Sequence, residues 1–238
     1  MLRGRLLALL EDDRFPDNLQ EVYGSSGAFS LGRTLRPLLA LLASGEAVVQ
    51  ARAATALGLL TARLADQDME AGRNVMRRLM WTLNDESGSI GWGAPQAMAE
   101  IMVRHEGLAR EYVAILVSYM HPEGNFLEHP PLQRDLLQAI GRLAPTRPRL
   151  LQEQGAATLL TPYLAATDDQ VRGLAAWCAG FLPVPSAREP LEGLLEDPAE
   201  IALHHGGYTS RTSVGALARR ALAALGDPPP SHASSTGP

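Results

Sequence analysis

Lysine is missing altogether: all 21 basic residues of this 238-residue chain are Arg. No binding chemistry requires that absence, so it reads as a coding bias, but it removes the lysine a phosphate-cradling loop would need. Cysteine occurs once, at Cys178. That excludes an internal disulfide, and its place on the apolar side of an expected helix marks it as a buried structural thiol. Aromatic residues are only 5% of the chain, which suits helix-on-helix packing rather than a β-sandwich. Positive charge is in deficit, with a net charge of −5, and this weighs against a general nucleic-acid binder while leaving room for a local Arg patch. Long apolar runs are lacking too, and no stretch is long enough to span a bilayer. The run Leu2–Leu10 meets Glu11-Asp12-Asp13-Arg14 without a small-residue cleavage site, so it does not read as a signal peptide. The chain reads as soluble and cytoplasmic, with no membrane partner.

What is present is a pattern returning about every forty residues. An apolar helix runs into a polar turn, and an Ala-rich second helix follows. The second helices contain Ala54–Leu60, Ala97–Met102, Ala139–Leu143, Ala176–Leu182 and Ala221–Leu225. Taking Gly58, Glu100, Gly141, Gly180 and Ala223 as equivalent gives steps of 42, 41, 39 and 43 residues. Such periods imply stacked helical hairpins, each unable to bury its apolar face without a neighbour.

The spacing predicts an N-terminal capping helix over 2–13, a loop or short helix to about Phe29, and then five hairpins. The first pairs 33–43 with 47–65, across Ser44-Gly45-Glu46, with Pro37 tolerated near the start of its helix. The second pairs 69–84 with 95–104, and the third 109–120 with 131–143, each second helix opening on Pro. The fourth pairs 156–166 with 168–182, capped by Thr167 or Asp168. The fifth pairs 189–196 with 214–225. Together these form one domain over 1–226. The tail 227–238 opens on Asp227-Pro228-Pro229-Pro230, has nothing apolar to bury, and is expected to be disordered. The fold class is all-α, a right-handed α-solenoid of about five hairpins whose Ala-rich second helices line the concave face.

Two stretches, Leu38–Ala54 and Leu159–Ala175, resemble HEAT repeats. In that family an apolar helix meets a short Asp-rich turn, then Val-Arg and a run of Ala. Asp168-Asp169-Gln170-Val171-Arg172 fits closely, and Val49-Gln50-Ala51-Arg52 more loosely. The repeat extends from about Arg33 to Leu225, with recognisable motif residues in the first and fourth units. Uncharacterised bacterial HEAT-like proteins and the HEAT-like subunits of phycobilin lyases share this plan. The resemblance implies a fold and leaves the activity open.

Three turns are much longer than the rest: 85–94, 121–130 and 200–213. Turns of one kind leave a solenoid from one edge, so these should form a decorated rim. The candidate partner-binding residues are Asp85, Glu86, Trp92, His121, Asn125, His129, His204, His205, Tyr208 and Arg211. Gly91-Trp92-Gly93 has two readings, a Trp held out as an anchor or a Trp folded back over neighbouring hairpins. His121, His129, His204 and His205 are potential metal ligands, but none forms an i, i+4 pair and adjacent histidines diverge. No metal or cofactor is therefore assigned.

Val103-Arg104-His105-Glu106 resembles the His-Glu pairs of HEAT-like deoxyhypusine hydroxylases, but it occurs once where that family needs several. Arg73, Arg77, Arg78 and Arg104 offer a local positive group of the kind a HEAT-like DNA glycosylase needs, among scattered carboxylates. No nucleophile elbow or phosphate loop is present. The reading is a non-enzymatic module binding a protein or peptide across the concave face and rim. A lyase-like or metal-assisted enzyme using the His-rich rim is the alternative, and a DNA glycosylase ranks below it.

Overall fold

The computed structural model describes residues 2–15, 17–19, 31–84 and 91–226. The expected tail at 227–238 and most of the expected loop up to Phe29 lie outside the described residues. Helix α1 spans Leu2–Glu11 and α2 Leu31–Leu41, followed by α3 (Ala47–Gln67), α4 (Met69–Asn84), α5 (Ala94–Arg104) and α6 (Glu106–Ser118). Then come α7 (Pro130–Leu143), the short α8 (Pro148–Glu153), α9 (Ala156–Leu159) and α10 (Thr161–Leu164), α11 (Asp169–Ala179) and α12 (Arg188–Gly193). Strands β1 (Glu200–His205) and β2 (Tyr208–Ser213) precede the last helix, α13 (Val214–Leu225).

The Ala-rich second helices α3, α5, α7, α11 and α13 stack side by side as the inner layer, and the first helices pack outside them. One apolar cluster runs from Leu6 to Ala221. Small residues set the spacing of the inner layer. A Cβ on Gly58 would lie 2.7 Å from main-chain atoms of Glu100, and one on Gly141 would lie 2.2 Å from the Trp177 ring. Glycine therefore permits the close approach at both inner contacts.

Polar bridges run between neighbouring repeats. Arg134 on α7 binds both oxygens of Asp168, which also caps α11 by accepting the Val171 amide at 3.0 Å. Arg172 of the Val-Arg motif reaches Asp197 of the next repeat at 2.6 Å. Buried Glu100 is clasped by Arg104 and by Arg142, the latter at 2.8 Å. Desolvation raises the pKa values of these acidic side chains, but hydrogen bonds from and attraction to the guanidinium groups outweigh it and lower them.

Three expectations change. The first helix of the fourth hairpin, expected over 156–166, is divided into the short α9 and α10. Pro37 falls in the interior of α2, because that helix begins two residues earlier than its spacing suggested. Residues 200–213 form an antiparallel β-hairpin instead of an open loop. Its sequence explains why: Ile201 and Leu203 alternate with smaller or polar residues, and Gly206-Gly207 takes positive φ at both positions (61° and 90°). A tight two-residue hairpin turn demands that conformation.

Gly58→Ala should lower stability by about 1–3 kcal/mol through overpacking against Glu100. Gly45→Ala, where a Cβ meets nothing within 4 Å, should be close to neutral. Urea denaturation of both variants checks this, and equal midpoints would contradict the stacking described.

Candidate functional site

The hairpin folds back across the concave face and is held there through its main chain. Strand β1 pairs with β2 on one side, from Glu200 opposite Ser213 to His205 opposite Tyr208. Its other edge would leave amides and carbonyls unpaired, a costly state for partly buried backbone. Two inner-helix glutamines fill that edge. Gln170 on α11 accepts the Ala202 amide at 3.2 Å and donates to the Ala202 carbonyl at 2.6 Å. Gln138 on α7 does the same for His204, at 3.1 and 2.6 Å. Each carboxamide thus stands in for one residue of a neighbouring strand. The bonded residues are two apart, and Ile201 and Leu203 are buried against the helices.

The tip of the hairpin reaches the other end of the solenoid. Arg52 on α3 donates to the Gly207 carbonyl at 3.3 Å and also to the carbonyls of Leu10 (2.7 Å) and Asp12 (3.0 Å). Its guanidinium lies 5.3 Å from the centre of the Phe15 ring. One side chain therefore joins the N-terminal helix, the first inner helix and the hairpin turn.

Beside β1 lies a cavity of about 570 Å³, lined by Gln50, Gln96, Asp135, Gln138, Gln170 and Glu200 among others. Of its lining side chains, Asp135, Asp168, Asp169 and Glu200 are acidic, against one guanidinium, Arg134, and the imidazole of His204. Asp135 is the most unusual group. It is buried and accepts three neutral donors: the Gly93 amide at 2.7 Å, Gln96 at 2.9 Å and Gln50 at 3.2 Å. Desolvation dominates these bonds and pushes its pKa up to about 6. It also links three successive inner helices at their N-terminal ends.

The residues singled out from sequence divide into groups. Trp92 and His129 meet, with ring centres 5.6 Å apart. Trp92 packs half-buried against the core, and a Cβ on Gly91 would lie 2.8 Å from the Thr82 carbonyl, so the folded-back reading of Gly91-Trp92-Gly93 describes this Trp. His121 and Asn125 stay in the exposed turn before α7. His121 accepts the Glu123 amide, and Asn125 bonds Ser118. His204, His205, Tyr208 and Arg211 leave this rim with the hairpin. His204 bonds Thr209 at 2.9 Å, and burial, with some repulsion from His205, lowers its pKa. Tyr208 and Arg211 are exposed on β2. Asp85 and Glu86 lie outside the described residues.

Other sequence features are absorbed by the scaffold. His105 caps α6 by accepting the Leu108 amide. Arg73 pairs with Glu111, Arg77 with Glu70, and Arg104 with Glu100. Cys178 is buried and its thiol is raised by desolvation. Among the described residues no three His, Cys, Asp or Glu side chains converge to hold a metal ion. No helix of the described residues is long and apolar enough to cross a membrane. A second, more apolar hollow of about 370 Å³ lies by Leu39, Leu42, Arg78, Trp81 and Trp92, with Trp81 74% exposed.

Solved structures share this architecture. An engineered protein is similar with 19% identity and a TM-score of 0.54, over 94% of this chain and 96% of that one. A designed armadillo repeat protein in complex with the peptide (KR)4 is similar with 18% identity and a TM-score of 0.57, over 94% and 91%. Computationally designed armadillo repeat proteins for modular peptide recognition are similar with 19% identity and a TM-score of 0.54, over 94% and 100%. The fold is an armadillo-like α-solenoid. No family model and no curated protein matches the chain.

The Asp135 pKa has a definite sign in the stability of this solenoid. A carboxyl whose folded pKa lies above its unfolded value keeps its proton longer when folded, so its contribution falls as pH rises from about 4 to about 6. The fall should be on the order of 2–3 kcal/mol. Glu100, Asp168 and Asp197 act in the opposite sense, because their stabilisation is lost as pH falls through their lowered pKa values. The difference between wild type and Asp135→Asn, from urea melts at pH 4 and 7, isolates the Asp135 part. The same difference at both pH values would contradict it.

Proposed function

We propose that this solenoid is a non-enzymatic scaffold that binds an extended, basic segment of a protein partner in the polar groove beside β1. The observation that carries this reading is the pairing of Gln138 and Gln170 with the main chain of β1. A concave face that holds one extended strand through its amides and carbonyls has the chemistry to hold another, whatever its sequence. Gln96 and Gln50 continue the polar row along the inner helices toward the N-terminal end, where they line the open cavity. The acidic lining selects charge: a Lys or Arg side chain entering the cavity meets Asp135 and Glu200, while Arg134 is already engaged by Asp168. The similarity to a designed armadillo repeat protein that was solved with (KR)4 supports the same kind of partner. The chain reads as a single repeat domain over 1–226.

The rim takes a secondary part in this reading. Trp92 and His129 flank the N-terminal end of α7, near the Gly93 amide that binds Asp135. Tyr208 and Arg211 face outward from β2, and an Arg there would repel a basic segment.

Fluorescence anisotropy of labelled (KR)4 peptide tests the reading. Wild type should bind, and binding should weaken steeply with added salt. Asp135→Asn combined with Glu200→Gln should weaken it by about tenfold, the scale expected for losing close charge contacts. Trp92→Ala should reduce binding less, with helicity intact, and Arg211→Ala should leave it equal or tighter. Unchanged binding in the Asp135→Asn, Glu200→Gln variant would rule out the groove, and loss in Trp92→Ala alone would return the site to the rim.

A further inference from the structure

The groove proposed for the partner is walled on one side by a strand that the concave face already holds. We infer that the β1–β2 hairpin is a resident ligand of the concave face: it opens as a unit, and an extended segment with the apolar–small–apolar alternation of Ile201-Ala202-Leu203 can take the place of β1 on Gln170 and Gln138.

Four observations point the same way. First, the contacts that hold β1 are those an incoming peptide would use, a bidentate carboxamide on every second residue. Such contacts read the main chain, so they do not require this particular strand. Second, the hairpin has little else to keep it in place. Of its side chains only Ile201 and Leu203 are buried, and most of β2 is exposed. An isolated two-stranded hairpin is marginal in water, so its order depends on the face it lies on.

Third, among the described residues one side chain, Arg52, hydrogen-bonds the turn at its far end. Arg52 bonds the Gly207 carbonyl at the longest of its three distances, and its other two bonds hold the end of α1. Loss of the Gly207 bond therefore leaves Arg52 still engaged. Fourth, Gln138, Gln170, Glu200, Ala202 and His204 line the polar cavity itself. Opening the hairpin would join that cavity to the small hollow under its tip, by Ala51, Ala54 and Glu100, into one longer channel. The hinges of this movement are at the strand roots, where the Val214 amide bonds the Ala199 carbonyl and the Gly215 amide bonds Asp197.

The inference deepens the peptide-scaffold reading by assigning its regulation, but opening can be measured without any partner. In native-state hydrogen exchange, the amides of Ala202 and His204 should exchange about 100-fold faster than those of Ala139 and Ala175 in the inner helices, as a locally opening unit does. Arg52→Ala should raise the hairpin rates further and leave the helix rates unchanged. Hairpin amides that exchange only with the helices, in both wild type and Arg52→Ala, would overturn the inference whatever (KR)4 does.

Replacement in trans uses a labelled synthetic peptide of residues 199–213. It should bind a chain in which 201–212 are replaced by a short Gly-Ser linker, at least about tenfold more tightly than it binds wild type, by the removal of an intramolecular competitor. Gln138→Ala with Gln170→Ala in the shortened chain should abolish that binding. A shortened chain with wild-type helicity that ignores the peptide overturns the replacement. If shortening unfolds the chain, Arg52→Ala carries the test, and equal peptide binding to it and to wild type overturns the replacement.

Discussion

Gly58 lies so close to the main chain of Glu100 that not even a methyl group fits between the first two repeats. The rest of the concave face follows from that spacing. Helices that approach through Gly and Ala present a shallow inner surface, with few large side chains standing above it. An extended strand can then lie across several helices at once, close enough for carboxamides of ordinary length to reach its backbone. Bulkier residues along α3, α5, α7 and α11 would lift β1 away from Gln138 and Gln170 and leave its free edge unpaired. Packing at the inner contacts therefore determines what the groove can hold.

A second layer of organisation is electrostatic. Glu100, Asp168 and Asp197 are each bound by Arg side chains, and these pairs fix the repeats relative to one another. Removing one partner from such a pair, above all from buried Glu100, would leave a charge without compensation. Asp135 differs. It is buried with three neutral donors and no guanidinium in contact, which is why desolvation prevails and its pKa rises. The scaffold thus pairs Glu100, Asp168 and Asp197 with Arg and leaves Asp135, at the junction of three helices beside the cavity, without such a partner.

Much of the architecture was legible in the chain. The second helices were marked by Ala runs and by prolines that open α5 and α7, and the equivalence of Gly58 with Glu100 corresponds to a direct contact. A cap at Thr167 or Asp168 was legible ahead of α11, and the fold gives it to Asp168. The hairpin was also written in the sequence: Ile201 and Leu203 alternate, Gly206-Gly207 follows, and Thr209 and Thr212 favour extended backbone. It read as a loop because a helical period dominated its surroundings. The glutamines were harder to find. Gln50, Gln96, Gln138 and Gln170 each sit in an inner helix, two of them inside the HEAT-like stretches, but a Gln carries no charge to mark it as a binding group. Only the folded arrangement gives Gln138 and Gln170 the β1 main chain, and Gln50 and Gln96 the Asp135 carboxylate, as targets. Asp135 likewise looked like one acid among many, since its burial depends on Gly93 and Gln50 from other repeats.

The central claim is that two glutamines hold an extended backbone on the concave face. An NMR nuclear Overhauser spectrum of isotopically labelled full-length chain tests it most directly. The account predicts cross-peaks from the Ala202 amide to the side chain of Gln170 and from the His204 amide to that of Gln138, both lost in the corresponding Gln→Ala variants. Random-coil shifts for Ala202 and His204, without contacts to either glutamine, would contradict it.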